Sequence, residues 1–587
     1  MSLDATPAAR AEISLLDSRR LTGANLLLDG PGAVLDVGLG THAPAVFASH
    51  WERSLARMLA TLGWSQAVRA WRGWPQGASL AFGAPLDALY AATEVNEWAF
   101  AAARAALEPG LEPESAFDAE ASRLRAAIEA EANPALLALR DEARSRAVTF
   151  LSDDKRVSVG LGEGSRTWPV RRLPRSPARV QWGTVSDVPV VLVTGTNGKT
   201  TTVRLLAAIA RAAGRVAGVT STDRVEVGSE VVAVGDYSGP NGARTVLRDR
   251  RAQLGILEVA RGGILRRGLP VSRARAVVVT NVAEDHLGEY GIFDADALAD
   301  AKLVVAKAVP EDGRVVLNAD DARLRARGAS LGTRVLWCSL DASDPFVRTH
   351  RAAGGDAAWL EGGELWLARA GEVTRVLAVA DVPITFSGAA RYNVSNALCA
   401  IGAATVLGLP VAAVRDGLSA FAPTPEANPG RANVWRLHGC TAIVDFAHNP
   451  HGLLALAETV AVLPAERRAI VLGQAGDRDD DSIRALARAA MEMRPDHVFL
   501  KDMPRFWRGR AAGEVPELLE RELHAAGLAA ERVSRHADEL PAVRAALGWA
   551  RDGDVVLLAT HAQRAEVIAL LDSLTARNWR PGEPLPE

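Results

Sequence analysis

Residues 190–202 read VVLVTGTNGKTTT, an apolar run followed by a glycine-rich turn and a polar start to a helix. A buried strand, a glycine turn and a helix N-terminus in this order bring backbone N–H groups close to phosphate oxygens. We therefore predict a phosphate-binding loop here. Its expected nucleotide contacts are Gly195, Thr196, Asn197, Gly198, Lys199, Thr200 and Thr201.

Two side chains of this loop carry chemistry of their own. Lys199 can neutralise charge on the β- and γ-phosphates, and the Thr200 hydroxyl can ligate Mg²⁺. The usual GxxxxGK[ST] pattern would place glycine at position 193, where this chain has Val193, so the loop is a shortened variant. A loop of this kind does not by itself choose among kinases, GTPases and ligases.

The surrounding sequence extends the loop into an α/β domain. Short apolar runs alternate with helical segments after residue 188, which is typical of a buried parallel sheet covered by helices. A second series of this type follows the break APTPEANPG at 422–430. We predict an α/β fold with a mixed α+β N-terminal domain (1–170), a linker (171–187), a central phosphate-loop domain with a parallel sheet (188–426) and a C-terminal Rossmann-like domain (427–587).

Bulk properties exclude several classes of protein. The chain has 587 residues, a net charge of −3 and three widely spaced cysteines without a CxxC pair. No strong basic excess indicates nucleic acid, and no uncharged run is long enough to span a bilayer. The N-terminus also lacks the apolar core of a signal peptide. We expect a cytoplasmic enzyme with neither a nucleic-acid nor a membrane partner.

Three further segments give the chain a family resemblance. They are GDYSGPNGARTVLRD (235–249), LEVARGGILRRGL (257–269) and TNVAEDHLGEYGI (280–292). Together with GTNGKTTT they resemble the Mur-ligase-like half of cyanophycin synthetases, and the chain is identified as a member of the Mur ligase superfamily. The resemblance implies an ATP-dependent ligase that activates a carboxylate as an acyl phosphate, joins it to an amine, and releases ADP and phosphate.

The resemblance also implies a site for two Mg²⁺ ions. Glu258 would ligate one ion beside Thr200, and His286 would ligate the second. Lys302 would be carbamylated and hold the second metal, or be an ordinary surface lysine with Lys307 as a competing candidate. From the residues alone, Glu258 also fits a capping or salt-bridged carboxylate, and His286 fits a histidine at a helix start.

The same resemblance assigns residues further along the chain. In YNVSNAL (392–398), Asn396 would lie near adenine, although Tyr392 stands where the family commonly has histidine. Arg431 would contact the ATP phosphates, Asp445 would contact the ribose, and His448 would lie in the loop facing the reaction centre. The expected catalytic residues are Lys199, His286, Lys302 and His448.

The N-terminal region is less informative. It is weakly similar to the N-terminal domain of cyanophycin synthetases, and the stretch between residue 162 and the phosphate-binding loop is too short for their ATP-grasp domain. We therefore predict that this domain is lacking. Five tryptophans of this region fit either a peptide-holding surface or core and interface packing: Trp51, Trp64, Trp71, Trp74 and Trp98.

The predicted substrates follow from the resemblance. They are a free amino acid such as arginine and a carboxylate of an aspartyl or glutamyl acceptor, with homo-oligomerisation and a separate partner ligase left open. Two alternatives remain. One is a regulatory or polymer-binding protein that keeps the ATP site without ligase activity. The other is a kinase or GTPase, which leaves the C-terminal domain unexplained.

Overall fold

The computed structural model describes residues 12–108, 116–331 and 335–586. The chain divides into two compact units. The first takes in 1–199, 214–336 and 406–408, and the second takes in 200–213, 337–405 and 409–587. Among the described residues, no helix combines the length and the apolar character needed to cross a membrane.

The first unit begins with an antiparallel sheet in the order β1-β2-β4-β3. Its inner strands, β2 and β4, are buried along almost their whole length, and helices α1 and α2 pack against the sheet. Trp51 is fully buried in this core and donates to Asn96 Oδ1 at 2.8 Å. The elements are β1 (Ser14–Leu21), β2 (Gly32–Gly38), α1 (Pro44–Thr61), β3 (Arg69–Trp74), β4 (Gly77–Gly83), α2 (Leu89–Leu107), α3 (Phe117–Glu131) and α4 (Pro134–Ser145).

A small antiparallel sheet follows, in the order β5-β6-β7. Beyond it, the stretch 171–187 forms short 3₁₀ turns, and Val180 is buried against Leu136 and Leu139. This part of the predicted linker therefore packs on the N-terminal helices. The strands are β5 (Phe150–Ser152), β6 (Arg156–Val159) and β7 (Arg166–Pro169).

The sheet that carries the phosphate-binding loop runs β11-β10-β9-β12-β8-β13-β14 within the first unit. Strands β9, β12, β8, β13 and β14 are parallel and almost entirely buried, as their unbroken apolar sequences predict. The strands are β8 (Val190–Thr194), β9 (Ala217–Thr220), β10 (Arg224–Val227), β11 (Glu230–Val234), β12 (Leu254–Glu258), β13 (Ala276–Val279) and β14 (Arg314–Asn318). The helices are α5 (Lys199–Ala212), whose residues after Lys199 belong to the second unit, α6 (Pro240–Leu247), α7 (Arg261–Arg267), α8 (Ala295–Leu303) and α9 (Ala322–Gly328).

The second unit takes in most of the strands and helices between residue 337, within β15, and the C-terminal sheet, apart from residues 406–408 at the end of α11. Strand β15 pairs with β16 in parallel, and β17 and β18 complete an antiparallel edge. The elements are β15 (Val335–Ser339), α10 (Pro345–Ala352), β16 (Ala357–Glu361), β17 (Glu364–Arg369), β18 (Glu372–Ala378), α11 (Arg391–Val406) and α12 (Val411–Ser419).

The C-terminal sheet has the order β19-β20-β24-β21-β22-β23, and all of its strands except β19 are parallel. Helices α13–α15 cover one face and α16–α17 the other, each over its own apolar cluster. The elements are β19 (Asn433–Leu437), β20 (Cys440–Asp445), α13 (Pro450–Val462), β21 (Arg468–Leu472), α14 (Asp480–Met491), β22 (His497–Lys501), α15 (Glu514–Ala525), β23 (Val533–His536), α16 (Glu539–Trp549), β24 (Val555–Ala559) and α17 (Arg564–Ala576). The predicted α/β class with parallel-rich sheets is confirmed.

Candidate active site

The phosphate-binding loop lies between β8 and α5, as the sequence pattern predicts. Gly195 has a φ of +146°, and a Cβ at this position would lie 1.9 Å from Thr280 Oγ1, so only glycine fits. Thr196 Oγ1 donates to Ala283 O and accepts from Ala283 N, both at 2.9 Å. The loop is thus fixed against the segment that follows β13.

Asn281 holds the loop through a pair of amide hydrogen bonds that the sequence analysis missed. Asn197 N donates to Asn281 Oδ1 at 3.0 Å, and Asn281 Nδ2 donates back to Asn197 O at 3.1 Å. Thr280 Oγ1 adds a third bond, to Asn197 O at 2.6 Å. The signal was a polar pair directly after a buried strand, at the edge where parallel sheets usually bind ligands.

Two predicted lysines meet at one carbonyl of the loop. Lys199 Nζ donates to Gly195 O at 3.1 Å and to Thr196 O at 2.8 Å, while Lys302 Nζ donates to Gly195 O at 2.8 Å. Burial, with a contribution from nearby Lys199, holds the pKa of Lys302 well below its usual value. Lys307 instead donates to Asn25 O at 2.8 Å, so Lys302 is the lysine at the loop.

Glu258 is a buried carboxylate at the end of β12, which lies in parallel beside β8. Its oxygens accept from the Thr222 hydroxyl at 2.6 Å and from Thr222 N at 3.2 Å. Thr222 was not singled out in the sequence. A carboxylate at the carboxyl edge of the phosphate-loop sheet has the hard oxygen donors that Mg²⁺ prefers.

His286 lies in the loop between β13 and α8, with its side chain 46% exposed. Its φ of +53° is left-handed, which is uncommon for a residue other than glycine. Arg261, at the start of α7, donates to His286 O at 2.6 Å and to Glu289 Oε2 at 2.5 Å. Arg261 therefore fixes the backbone at His286, a further contribution that the sequence did not reveal.

The remaining predicted residues lie in the second unit, where Arg431 and Asp445 form a group. Burial raises the pKa of Asp445, and the positive charge of Arg431 opposes that rise. Ala432 N donates to Asp445 Oδ2 at 2.7 Å. The Arg431 guanidinium lies 4.7 Å from the centre of the Phe446 ring, within cation–π distance.

The turn before Arg431 is held by two asparagines that the sequence analysis did not name. Asn433 Oδ1 accepts from Gly430 N at 2.7 Å, and Asn433 Nδ2 donates to Asn428 O at 3.0 Å. Asn428 Nδ2 in turn donates to Thr201 Oγ1 at 3.2 Å. Thr200 and Thr201 are both buried in the first turn of α5. Arg431 and Thr201 are therefore connected through Asn428 within the second unit.

His448 follows Asp445 in a loop that hydrogen bonds from other segments of the second unit hold in place. Its Nδ1 lies 3.1 Å from Phe446 O, and Gln474 Nε2 donates to His448 O at 3.0 Å. His561 Nε2 lies 3.1 Å from Ala447 O, and the buried Lys501 lies 3.0 Å from His561 Nδ1. Because an ammonium only donates, His561 carries its proton on Nε2 and donates to Ala447 O.

Asn396 is buried on α11 and donates to Asn393 Oδ1 at 3.1 Å. Asn393 Nδ2 donates to Ile384 O at 2.9 Å, so Asn393 is itself fixed and orients the Asn396 amide. Tyr392 has a buried hydroxyl with no hydrogen-bond partner among the described residues. Burial, and then the charge of Asp445, raise its pKa well above the usual value, so this hydroxyl stays protonated.

These groups define a nucleotide-binding α/β protein, and comparison with known proteins gives the family. The Mur ligase middle domain matches residues 193–404, and the Mur ligase glutamate ligase domain matches residues 430–561. A cyanophycin synthetase from a Nostoc species is 38% identical over 422 residues, which are 70% of this chain and 46% of that protein. The chain thus spans about half the length of the cyanophycin synthetases that it matches.

Shorter relatives are covered more completely. The UDP-N-acetylmuramoyl-L-alanyl-D-glutamate--2,6-diaminopimelate ligase of Chlorobaculum tepidum is 30% identical over 68% of this chain and 78% of its own length. The structure of E. coli FolC in complex with DHPP and ADP has a TM-score of 0.49 at 21% identity, covering 66% of this chain and 89% of that one. On the sequence matches, the chain belongs to the Mur ligase family, and the predicted membership is confirmed.

Proposed function

We propose that this chain is an ATP-dependent carboxylate–amine ligase that releases ADP and phosphate. The observation that carries the proposal is the pair of lysines, Lys199 and Lys302, on the Gly195 carbonyl of the phosphate-binding loop. Lys199 would move from this carbonyl to the transferring phosphoryl group, where fixed positive charge stabilises the transition state. Arg431 would contact the ATP phosphates, Asp445 would contact the ribose, and Asn396 would lie near the adenine.

The reaction proceeds in two steps. The substrate carboxylate attacks the γ-phosphorus in line, so that ADP leaves and an acyl phosphate forms. The amine then attacks the carbonyl carbon, phosphate leaves, and the amine loses a proton. We assign His448 to the reaction centre of this second step. The amine we favour is an amino acid such as arginine, and the carboxylate that of an aspartyl or glutamyl acceptor, as in the cyanophycin synthetases that the chain resembles.

Magnesium fits the donor atoms of three residues described above. Buried Glu258, with Thr200 and His286, would hold the ions, which when bound neutralise charge between the two anionic reactants. Lys302 is suited to carbamylation because its lowered pKa favours the neutral amine. That amine adds to CO₂ and loses a proton, which converts a cation into a carboxylate-like ligand. Intact-mass measurement with and without bicarbonate tests the modification.

The packed stretch 150–187 supports the proposal that this chain works without an ATP-grasp site of its own, and a separate ligase would then supply the acceptor. The cytoplasmic location and the oligomeric state stay predictions.

The decisive experiment is a phosphate-release screen of purified protein with MgATP, single amino acids, and aspartyl or glutamyl peptides. We expect continued ADP formation, beyond a single turnover, only when both an amine and a carboxylate are present. ATP binding without any amine-dependent ADP formation would instead favour the regulatory or polymer-binding alternative. Mass spectrometry of the product identifies which two molecules are joined.

A further inference from the structure

The N-terminal sheet makes backbone contacts with the segment that contains α7, within the first unit. Thr22 N donates to Arg267 O at 2.8 Å, and Leu269 N donates to Ala24 O at 2.7 Å. A Cβ at Gly23 would lie 2.4 Å from Leu269 O, so the two backbones approach as closely as glycine allows. The end of α7 is therefore fixed by the chain that follows β1.

A buried ion pair supports these contacts from inside the sheet. Arg19 Nη1 lies 2.5 Å from Asp36 Oδ2, and Ser79 donates to the other oxygen of Asp36 at 2.5 Å. Arg19 Nε also donates to Leu265 O at 3.0 Å. The same guanidinium lies 4.8 Å from the centre of the Tyr290 ring. Arg19 thus joins the N-terminal core both to α7 and to the loop containing Tyr290.

Strand β3 contacts the same loop from a second direction. Arg72 Nη1 donates to Gly291 O at 2.9 Å, and the rings of Trp74 and Phe293 lie 6.3 Å apart. A Cβ at Gly291 would lie 2.5 Å from Trp74 Cε3, so the indole packs directly on the Gly291 backbone. The inward-facing side chains of β3 therefore pack on residues 290–293, which follow His286.

This loop has a backbone that needs support. His286 and Tyr290 both have a φ of +53°, a conformation that residues other than glycine keep only when neighbouring groups hold it. Arg261 holds the loop from α7, through His286 O and Glu289. The N-terminal sheet holds its far end through Arg72 and Trp74, and it also fixes α7 itself.

We propose that the N-terminal sheet positions the His286 loop, with Arg72 and Trp74 as positioning residues for the proposed metal site. The inference rests on the proposed function only in that His286 serves the metal. The sheet would keep His286 in place although none of its own side chains touches the reactants. Trp74 would thus serve as a packing residue between the N-terminal sheet and the His286 loop.

Strand β3 supplies its own controls. Trp71 and Arg69 alternate with Arg72 and Trp74 and lie on the opposite, exposed face of the strand. We would compare R72A and W74A with R69A and W71A in the full chain. Hydrogen–deuterium exchange would be followed in peptides covering 284–294 and 190–202, and Mn²⁺ affinity would be measured by electron paramagnetic resonance with a non-hydrolysable ATP analogue.

We expect R72A to speed exchange in 284–294 by about 3- to 10-fold, the range that loss of one hydrogen bond gives. W74A should speed it more, and both variants should weaken Mn²⁺ binding by a similar factor. Exchange in 190–202 should stay at the wild-type rate, and R69A and W71A should match wild type in every measurement. R72A removes only one partly buried side chain, so it serves if W74A does not fold.

Unchanged exchange of 284–294 in R72A would overturn the inference. Faster exchange with unchanged Mn²⁺ affinity would overturn it too, because the loop would then be held for a reason unrelated to the metal. Failure of the proposed function has a different signature, namely wild-type protein without amine-dependent ADP formation. The two results come from different samples and can be told apart.

Discussion

The two units hold the charged groups of the proposed site in different ways. In the first unit, Lys199 and Lys302 lie on the Gly195 carbonyl of the phosphate-binding loop, whose polar groups are paired with Thr280 and Asn281. In the second unit, Asp445 is a half-buried carboxylate, and behind its loop lies the ion pair Lys501–Glu539, which water does not reach. In the first unit, the lysines can exchange the carbonyl for a phosphate at a small cost in free energy. In the second unit, folding depends on buried charges that keep their counter-charges.

The largest effect should come from removing one partner of the buried ion pair in the second unit. Lys501 and Glu539 are both fully buried, and Lys501 also donates to Ala559 O. K501M leaves the Glu539 carboxylate without its counter-charge, so we expect the free energy of unfolding to fall by about 3–5 kcal/mol. Chemical denaturation followed by tryptophan fluorescence measures this.

The exposed pair Arg484–Asp481 provides the control for K501M. R484A should change stability by less than about 1 kcal/mol, because exposed ion pairs contribute little. Equal losses in K501M and R484A would show that the second unit does not depend on its buried charges. The contrast between the two units would then be lost.

The next effect tests the first unit. K199A should lower the rate of ADP formation by about 100- to 1000-fold, the typical loss when one group that stabilises transition-state charge is removed. Its free energy of unfolding should remain near that of wild type, because Lys199 only bonds carbonyls of its own loop. K307A is the control, since Lys307 lies at Asn25 instead. Normal turnover in K199A would contradict the central assignment.

The sequence predicts the first unit's loop well because its determinants are local. An apolar strand, a glycine turn and a helix start are contiguous in the chain, and the φ of Gly195 follows from that turn. The choice between Lys302 and Lys307 is not local. Lys302 lies in the last turn of α8 and Lys307 in the 3₁₀ turn that follows it, and only the packed structure shows which of them reaches the Gly195 carbonyl.

Contacts between residues that are far apart in the chain could not be predicted from the sequence. Asn281 meets Asn197 across 84 positions, and His561 meets Ala447 across 114. The proline and arginine content of 171–187 predicts a linker, but Val180 is buried against α4, which lies about 40 residues earlier in the chain. A single sequence shows which residues are polar or apolar, but not which distant partner each one finds.

Arg431 tests whether the second unit serves ATP. R431A removes a charged donor from the proposed phosphate contact, so the KM for ATP should rise by about 10- to 100-fold. The exposed Arg436, on neighbouring β19, provides the control R436A, which should leave the KM unchanged. Steady-state ADP release at varied ATP measures both. An unchanged KM in R431A would remove Arg431 from the proposed nucleotide contacts.

Asn281 tests how far the first unit depends on paired amides. N281A removes the two hydrogen bonds between the Asn281 amide and the Asn197 backbone, which should cost about 1–2 kcal/mol of stability and raise the KM for ATP a few-fold. N318A is the control, because Asn318 ends the neighbouring strand but bonds its own turn. If N281A matched N318A in stability and in KM, the loop would be held by Thr280 and Thr196 alone.

The smallest expected change in stability concerns the buried hydroxyl of Tyr392 in the second unit. Y392F removes a buried group with no partner among the described residues, so stability should stay the same or rise by up to about 1 kcal/mol. Y90F is the control, since the Tyr90 hydroxyl is exposed beside Asp154. A loss of stability in Y392F would mean that the hydroxyl is already satisfied in the folded protein. If Y392F instead keeps its stability but raises the KM for ATP, the Tyr392 hydroxyl pairs with the nucleotide. The second unit would then resemble the first in keeping a polar group available for its ligand.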